Sequence, residues 1–191
     1  MGGGYFSNAG VFLIDALFGL YIFAVLLRFL FQLVRVDARQ PLYRGVIKAT
    51  NPVLAPLRRH IPSVQGIDSA SVLLLLTLQL VNTGLVALLV GVSPHLSGLV
   101  VVAVAELITK VVWVFMGAII IQIVLSWIAP GTYNPIVEVI DAVAGPLLRP
   151  ARELLPPIGG FDFSPMLAII VLNLVLMLAV APLRDFGYTL F

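Results

Sequence analysis

The chain has 191 residues, 61% of them hydrophobic and only 10% charged, with a mean hydropathy of +1.12. Soluble domains of this size are nearer half apolar and about a quarter charged, so the composition is that of a polytopic membrane protein. A net charge of +2 gives no footprint for nucleic acid, and the lack of cysteine excludes disulfides, thiolate metal sites, covalent haem attachment and a cysteine nucleophile within the chain.

The opening "MGGGYFSNAG" has no basic n-region, and the apolar run behind it is too long for a signal peptide, so the first helix is expected to stay as an anchor. Four runs are long and apolar enough to span a bilayer, roughly 11–34, 70–92, 107–128 and 165–183. The helical pattern of the third continues backwards through "GLVVVAVAELITK". Basic residues set the expected direction. Arg35, Arg39, Arg44, Lys48, Arg58 and Arg59 lie between the first two spans and Arg149 and Arg152 between the last two, whereas the tails and "GVSPHLS" hold only Arg184. Both long loops are therefore expected in the cytoplasm and both termini outside, in a bacterial inner membrane.

An offset of 94 residues carries Asp68 onto Asp162, and with it Pro41 onto Pro135, Pro52 onto Pro146, Leu54 onto Leu148, Pro56 onto Pro150, Arg58 onto Arg152, Pro62 onto Pro156, Gly66 onto Gly160 and Gln79 onto Asn173. The chain reads as a tandem duplication, 1–97 and 98–191, of one unit: span, cytoplasmic amphipathic loop, span. Two spans per unit give both copies the same topology, related by an axis along the membrane normal. The expected fold class is thus an all-α membrane protein with four transmembrane helices. In the second loop Ile136, Ile140, Val143 and Leu147 form an apolar stripe with Glu138 and Asp141 off it, as in a helix lying in the headgroup plane. Pro146 and Pro150 are expected to break that helix, and Gly159–Gly160 to allow a sharp turn. Ser164 is expected as N-cap of the last span, with Pro165 in its first turn and Asp162 at its positive end; Asp68 with Ser69 or Ser71 repeats the device.

"IVLSWIAPGTYNPIVEVI", followed by "PLLRPARELLPPIGGFDFSP", resembles the repeat of the YggT family of bacterial and plastid membrane proteins. Arg28, Gln32, Arg35, Asp37, "QP", "ATNP", "PLRRHIP" and "IDSAS" are similar to the N-terminal copy of its proteobacterial members. The resemblance covers nearly the whole chain and implies two tandem repeats. It also implies links to osmotic tolerance, to neighbours of cell-division genes and to biogenesis of plastid membrane complexes, none of which picks out a reaction.

Several residue groups are candidates for function. Arg58, Arg59 and Arg152 suit docking to a partner or to anionic lipid; alternatively each repeat's arginine sets topology, or pairs with the aspartate ten positions on and pins the loop. Asp15, Arg28, Glu106 and Lys110 fall within or beside spans, where ionisable groups suggest either a polar path or ion-paired anchors; Arg28 is placed to snorkel. Gln79 and Asn173 lie near the midplane, and with Asn82, Thr83 and Gln122 suit interhelical hydrogen bonds or a polar path. His60 and His95 fall on opposite faces and cannot share a metal, and Trp113 and Trp127 read as interfacial anchors.

No phosphate-binding glycine loop, zinc-protease motif, serine elbow or cysteine–histidine pair occurs. The expectation is a non-enzymatic scaffold or assembly factor without cofactor or metal, its partners being membrane lipids and a membrane protein complex or further copies of itself. The alternative is an ion or osmolyte transport component formed by oligomerisation.

Overall fold

A computed structural model describes residues 3–128, 134–156 and 162–191. The helices are α1 (Gly3–Leu33), α2 (Pro41–His60), α3 (Ser69–Leu89), α4 (Leu96–Ile128), α5 (Pro135–Leu154), α6 (Ser164–Val175) and α7 (Ala181–Thr189), with a π-helical turn over Leu176–Val180 joining the last two. Four apolar spans result: α1, α3, α4 and the continuous run Ser164–Thr189. The duplication is visible in the elements, since α2 and α5 each have 20 residues and start 94 apart. Gly159 and Gly160 lie outside the described residues.

The spans are longer than their hydrophobic runs suggested. The α4 helix starts at Leu96 and continues through Glu106 and Lys110, which pair at 3.8 Å one turn apart, while Arg184 of α7 approaches Glu106 at 3.7 Å. Charges that satisfy one another leave the helix no reason to stop. At about 1.5 Å per residue α4 is roughly 50 Å long, well beyond a hydrocarbon core of about 30 Å. Trp113, 59% exposed, consequently sits in the middle of α4 and not near one end.

The prolines do not break the surface helices, contrary to the expectation from sequence. The α2 helix runs through Pro52 and Pro56, and α5 through Pro146 and Pro150. All four are exposed, so the carbonyls that lose their amide donors lie on the outward side, where water or headgroups can bond them. Each helix stops instead before the next proline, Pro62 or Pro156. There Ile61 and Leu155 are extended, at φ −121° and −130°, because a following proline disfavours the helical region. The buried stripe of α5 is Val139, Val143, Ala144, Leu148 and Ala151. Only Val143 of the expected stripe is in it: Ile136 is 52% exposed, and Ile140 and Leu147 are half-buried.

Two cores lie at the end carrying the surface helices, one centred on each repeat, with Phe31 and Tyr43 of the first repeat joining the second. Ile22, Val25, Leu54 and Leu74 are buried in the first, and their counterparts Met116, Ile119, Leu148 and Ala168 in the second. At the other end, α4 and α7 cross closely through Gly98 and Gly187. A Cβ on Gly187 would lie 2.7 Å from Val102 Cγ2, and one on Gly98 would lie 2.8 Å from the Gly187 carbonyl. Small residues of this kind are what lets membrane helices touch backbone to backbone. Pro182 has no amide to continue the helical ladder, and the chain compensates with an i→i−5 bond from the Ala181 amide to the Leu176 carbonyl.

Arg28 fixes α2 to α1. It does not snorkel. At 3% exposure it donates to Thr50 Oγ1 at 2.8 Å, Asn51 Oδ1 at 2.8 Å and the Ile47 carbonyl at 3.4 Å. Gln122, its counterpart in the second repeat, makes a weaker version of the same link, donating to Asp141 of α5 at 2.8 Å. Hydrogen bonds from a charged donor contribute about 1.5–3 kcal/mol each. Arg28→Leu should therefore destabilise the protein by about 2 kcal/mol or more and expose α2 to protease, whereas Gln122→Leu should cost less than half as much; unfolding and limited proteolysis in detergent would check both.

Candidate functional site

Two kinds of polar structure are built on this frame: a clamp at the entry of each repeat's second span, and a cavity at the opposite end of the bundle.

The first clamp is set by a tight turn. Gln65 and Gly66 both have positive φ, 52° and 83°, and the Val64 and Ile67 backbones exchange hydrogen bonds at 3.1 and 2.9 Å across them. This two-residue reversal suits glycine at its second position. It returns the chain from α2 so that Asp68, at the head of α3, meets Arg58. The carboxylate accepts from Arg58 Nε at 3.3 Å, from Arg58 Nη2 and from the Ser71 hydroxyl. In the second repeat Asp162 accepts from Arg152 Nε at 3.0 Å and from the Ser164 amide and hydroxyl at 2.9 and 2.5 Å. Ser164 thus donates to the capping aspartate and does not itself cap the helix. The serine donors are not repeat counterparts, so the same aspartate is satisfied by different local solutions.

Burial alone would raise both aspartates; hydrogen bonds from arginine and serine outweigh it and hold each carboxyl below its ordinary range. The two clamps differ in exposure. The side chain of Asp68 is 5% exposed and that of Asp162 is 34% exposed. Arg58 and Arg152, expected as docking residues, thus have their charge met within their own repeats. Arg59 is exposed, and among the described residues it takes part in none of the ion pairs.

The cavity encloses about 310 Å³ between α1, α3, α4 and α7, and its polar wall carries Asp15, Gln79, Asn82, Glu106, Lys110 and Tyr188. Three of the four charged residues found in the span sequences therefore come together, and Arg28 does not join them. Asn82, 67 positions from Asp15, donates to its Oδ1 at 3.1 Å. Gln79 is 1% exposed and donates to Thr83 Oγ1 one turn on, at 3.2 Å. Asn173 donates to the Ile169 carbonyl of its own helix at 2.9 Å. Neither of these repeat-related amides makes the interhelical bond expected of it; Asn82 and Gln122 make the bonds between helices. Gln79 Oε1 and Asn82 Oδ1 are buried without a partner, and an unmet buried acceptor costs about 1–3 kcal/mol. The signal sequence reasoning missed is the pairing of Asp15 with Asn82: each was visible alone, but only helix packing brings them together. Among the described residues no three His, Asp or Glu side chains group as a metal site.

The clamps have a definite pH dependence. Because both folded carboxyls sit below the unfolded value of about 3.9, their contribution is fully present above that value and is lost as pH falls through the lower folded values. Unfolding followed from pH 7 down to pH 3 should show a loss confined to the acid end. Asp68→Asn at neutral pH should cost about 2–3 kcal/mol, as for a buried pair that loses one partner. Asp162→Asn should cost below about 1 kcal/mol, as for an exposed pair.

The CCB3/YggT family pattern matches the chain twice, over residues 7–89 and 101–183. An uncharacterized protein of Pseudomonas aeruginosa is 41% identical over 176 residues, 91% of this chain and 89% of that protein. YggT of Escherichia coli K12 is 34% identical over 172 residues, 89% of this chain and 88% of its own length. A chloroplastic YlmG homologue of Arabidopsis thaliana is 35% identical over 92 residues, 48% of this chain and 34% of its own. No solved structure matches the chain. The two family matches are themselves 94 residues apart, the offset at which the helices and clamps repeat, and this chain belongs to the CCB3/YggT family of membrane proteins.

Proposed function

We propose that this chain is a non-enzymatic scaffold of the bacterial cytoplasmic membrane, with α2 and α5 on the cytoplasmic face and both termini outside. The excess of Lys and Arg around α2 supports this direction. One observation carries the functional reading: α2 is a rigidly held surface helix with Arg44, Lys48 and Arg59 exposed and no acidic residue along its length. The Arg28 link and the Arg58–Asp68 clamp hold it at both its middle and its end. The α5 helix carries Glu138, Asp141 and Glu153 beside its arginines, so the two surface helices are not equivalent. The docking face is the first repeat's, through Arg44, Lys48 and Arg59, with Arg58 serving to position it and Arg152 holding α5 in the same way. Its partner is acidic, either a membrane protein complex or an anionic leaflet, where each basic residue contributes about 1 kcal/mol.

A second reading, passage of a small ion or osmolyte through an oligomer, is favoured by the polar cavity. Four spans enclose too little wall for a pore in one chain, so passage requires several copies.

Gentle extraction in native lipid followed by native mass spectrometry tests the scaffold reading. Arg44→Gln, Lys48→Gln and Arg59→Gln combined should release a stoichiometric companion or the bound anionic lipid while leaving the fold intact. An unchanged set of bound companions and lipids would count against the docking face. A homo-oligomer without companions would move the test to flux in liposomes, where Gln79→Leu should abolish passage.

A further inference from the structure

The offset of 94 residues also relates two apolar grooves. In the first repeat a groove of about 560 Å³ lies between α1, from Leu17 to Leu27, and Pro41, Gly45 and Ala49 of α2. Its counterpart lies between α4 and α5, with Leu20, Ala24 and Ala49 falling on Val114, Ala118 and Val143. The second groove is narrowed to about 230 Å³ because Phe23, Leu27, Phe31 and Leu42 of the first repeat line it from the other side. Ala118 and Val143 are buried there. The first groove is walled by α1 and α2 alone, leaving Leu20 72% exposed and Ala49 exposed as well.

The rims of the two grooves differ in charge in the same sense. Arg44 and Lys48 follow Pro41 by three and seven positions, so they border the side of α2 that Pro41 and Gly45 present to the groove. The offset turns them into Glu138 and Ala142. Where protein closes the groove, the basic rim is absent. Where the groove is open, α2 keeps the rim and has no acidic residue along its length. A second copy seated through α2 would bring two basic helices together, which like-charge repulsion disfavours. The length of the groove narrows the occupant further. From Leu17 to Leu27, α1 rises about 15 Å at about 1.5 Å per residue, half of a hydrocarbon core of about 30 Å. That is the depth of one leaflet. Arg28, next to Leu27, is bonded to Thr50 and Asn51 of α2, which sets the basic rim at the Leu27 end.

We propose that the α1–α2 groove holds one anionic phospholipid, with an acyl chain along α1 from Leu27 towards Leu17 and its phosphate on Arg44 and Lys48. The proposal rests on the docking face assigned to α2 and names the ligand that face takes. It adds a requirement that charge alone does not make: the groove must be free of protein side chains.

The test is lipid titration of the purified, delipidated full chain in detergent, read by native mass spectrometry, with phosphatidylglycerol or phosphatidylcholine of the same acyl chains. The wild type should take one phosphatidylglycerol per chain, at least about tenfold more tightly than phosphatidylcholine. Two variants separate the two halves of the site. Gly45→Leu, at a position where an added Cβ meets nothing within 4 Å, fills the groove, leaves every charge in place and favours the helix. It should weaken phosphatidylglycerol binding at least about tenfold. Arg44→Gln combined with Lys48→Gln should abolish the preference over phosphatidylcholine. If Gly45→Leu leaves binding unchanged while the charge variant removes the preference, the docking face on α2 stands and the groove proposal is overturned. If the charge variant changes nothing, the docking face falls and the proposal with it. A wild-type chain that takes no phosphatidylglycerol also overturns it. So does a native-lipid extract in which Gly45→Leu releases a protein companion or splits a dimer instead of shedding the lipid.

Discussion

The structure depends on one buried guanidinium. An arginine inside a membrane bundle is costly unless its donors are met. Arg28 leaves its Nε buried without a partner but meets three acceptors on α2 through Nη1. Two of them, Thr50 and Asn51, immediately precede Pro52, where the helix loses an amide donor. The hook thus grips α2 where its own backbone ladder is weakest. With α2 fixed at its middle, the turn at Gln65–Gly66 can deliver Asp68 to Arg58, and the second attachment follows from the first.

Duplication accounts for the frame, and divergence accounts for the candidate sites. The offset that pairs Leu54 with Leu148 and Arg58 with Arg152 carries Arg28 onto Gln122, Thr50 onto Ala144 and Asn51 onto Gly145. The second copy lacks the buried cation and its two side-chain acceptors together, which is what their mutual dependence requires. Removing only one side would leave a buried charge or buried oxygens unmet. Asp141 replaces Ile47 and gives Gln122 an acceptor in their place, so α5 remains attached by a neutral donor. Freed from the hook, α5 carries mixed charge while α2 remains uniformly basic.

The four spans, the repeat and the arginine–aspartate pairing at ten-residue spacing were legible in the sequence because each depends on local pattern or fixed separation. The backward extension of α4 through "GLVVVAVAELITK" was legible as well; the approach of Arg184 to Glu106 was not, because the two lie on different helices. Nor was the passage of α2 and α5 through their prolines: that outcome depends on which side faces outward, and Pro52, Pro56, Pro146 and Pro150 all do. Arg28 reads as a snorkelling residue until Thr50 and Asn51 are folded against it. Of the cavity, the polar members other than Tyr188 could be named in advance, but their convergence could not, because Asp15 and Asn82 lie 67 positions apart.

Gln79 is matched under the repeat by the amide of Asn173, but Asn82 and the charged residues of the cavity have no like counterparts. The offset carries Asp15 onto Thr109, Asn82 onto Leu176, and Glu106 and Lys110 back onto Phe12 and Ala16. The clamp is present in both copies, but this charged cluster is not. Instead, Asp15 and Asn82 come from the first repeat and Glu106 and Lys110 from the second, and they meet only at the joint between the two. The tight approach of Gly98 and Gly187 holds α7 against α4 there, which brings Arg184 to Glu106. This polar cluster is therefore a product of how the two repeats pack against each other, and neither unit forms it alone.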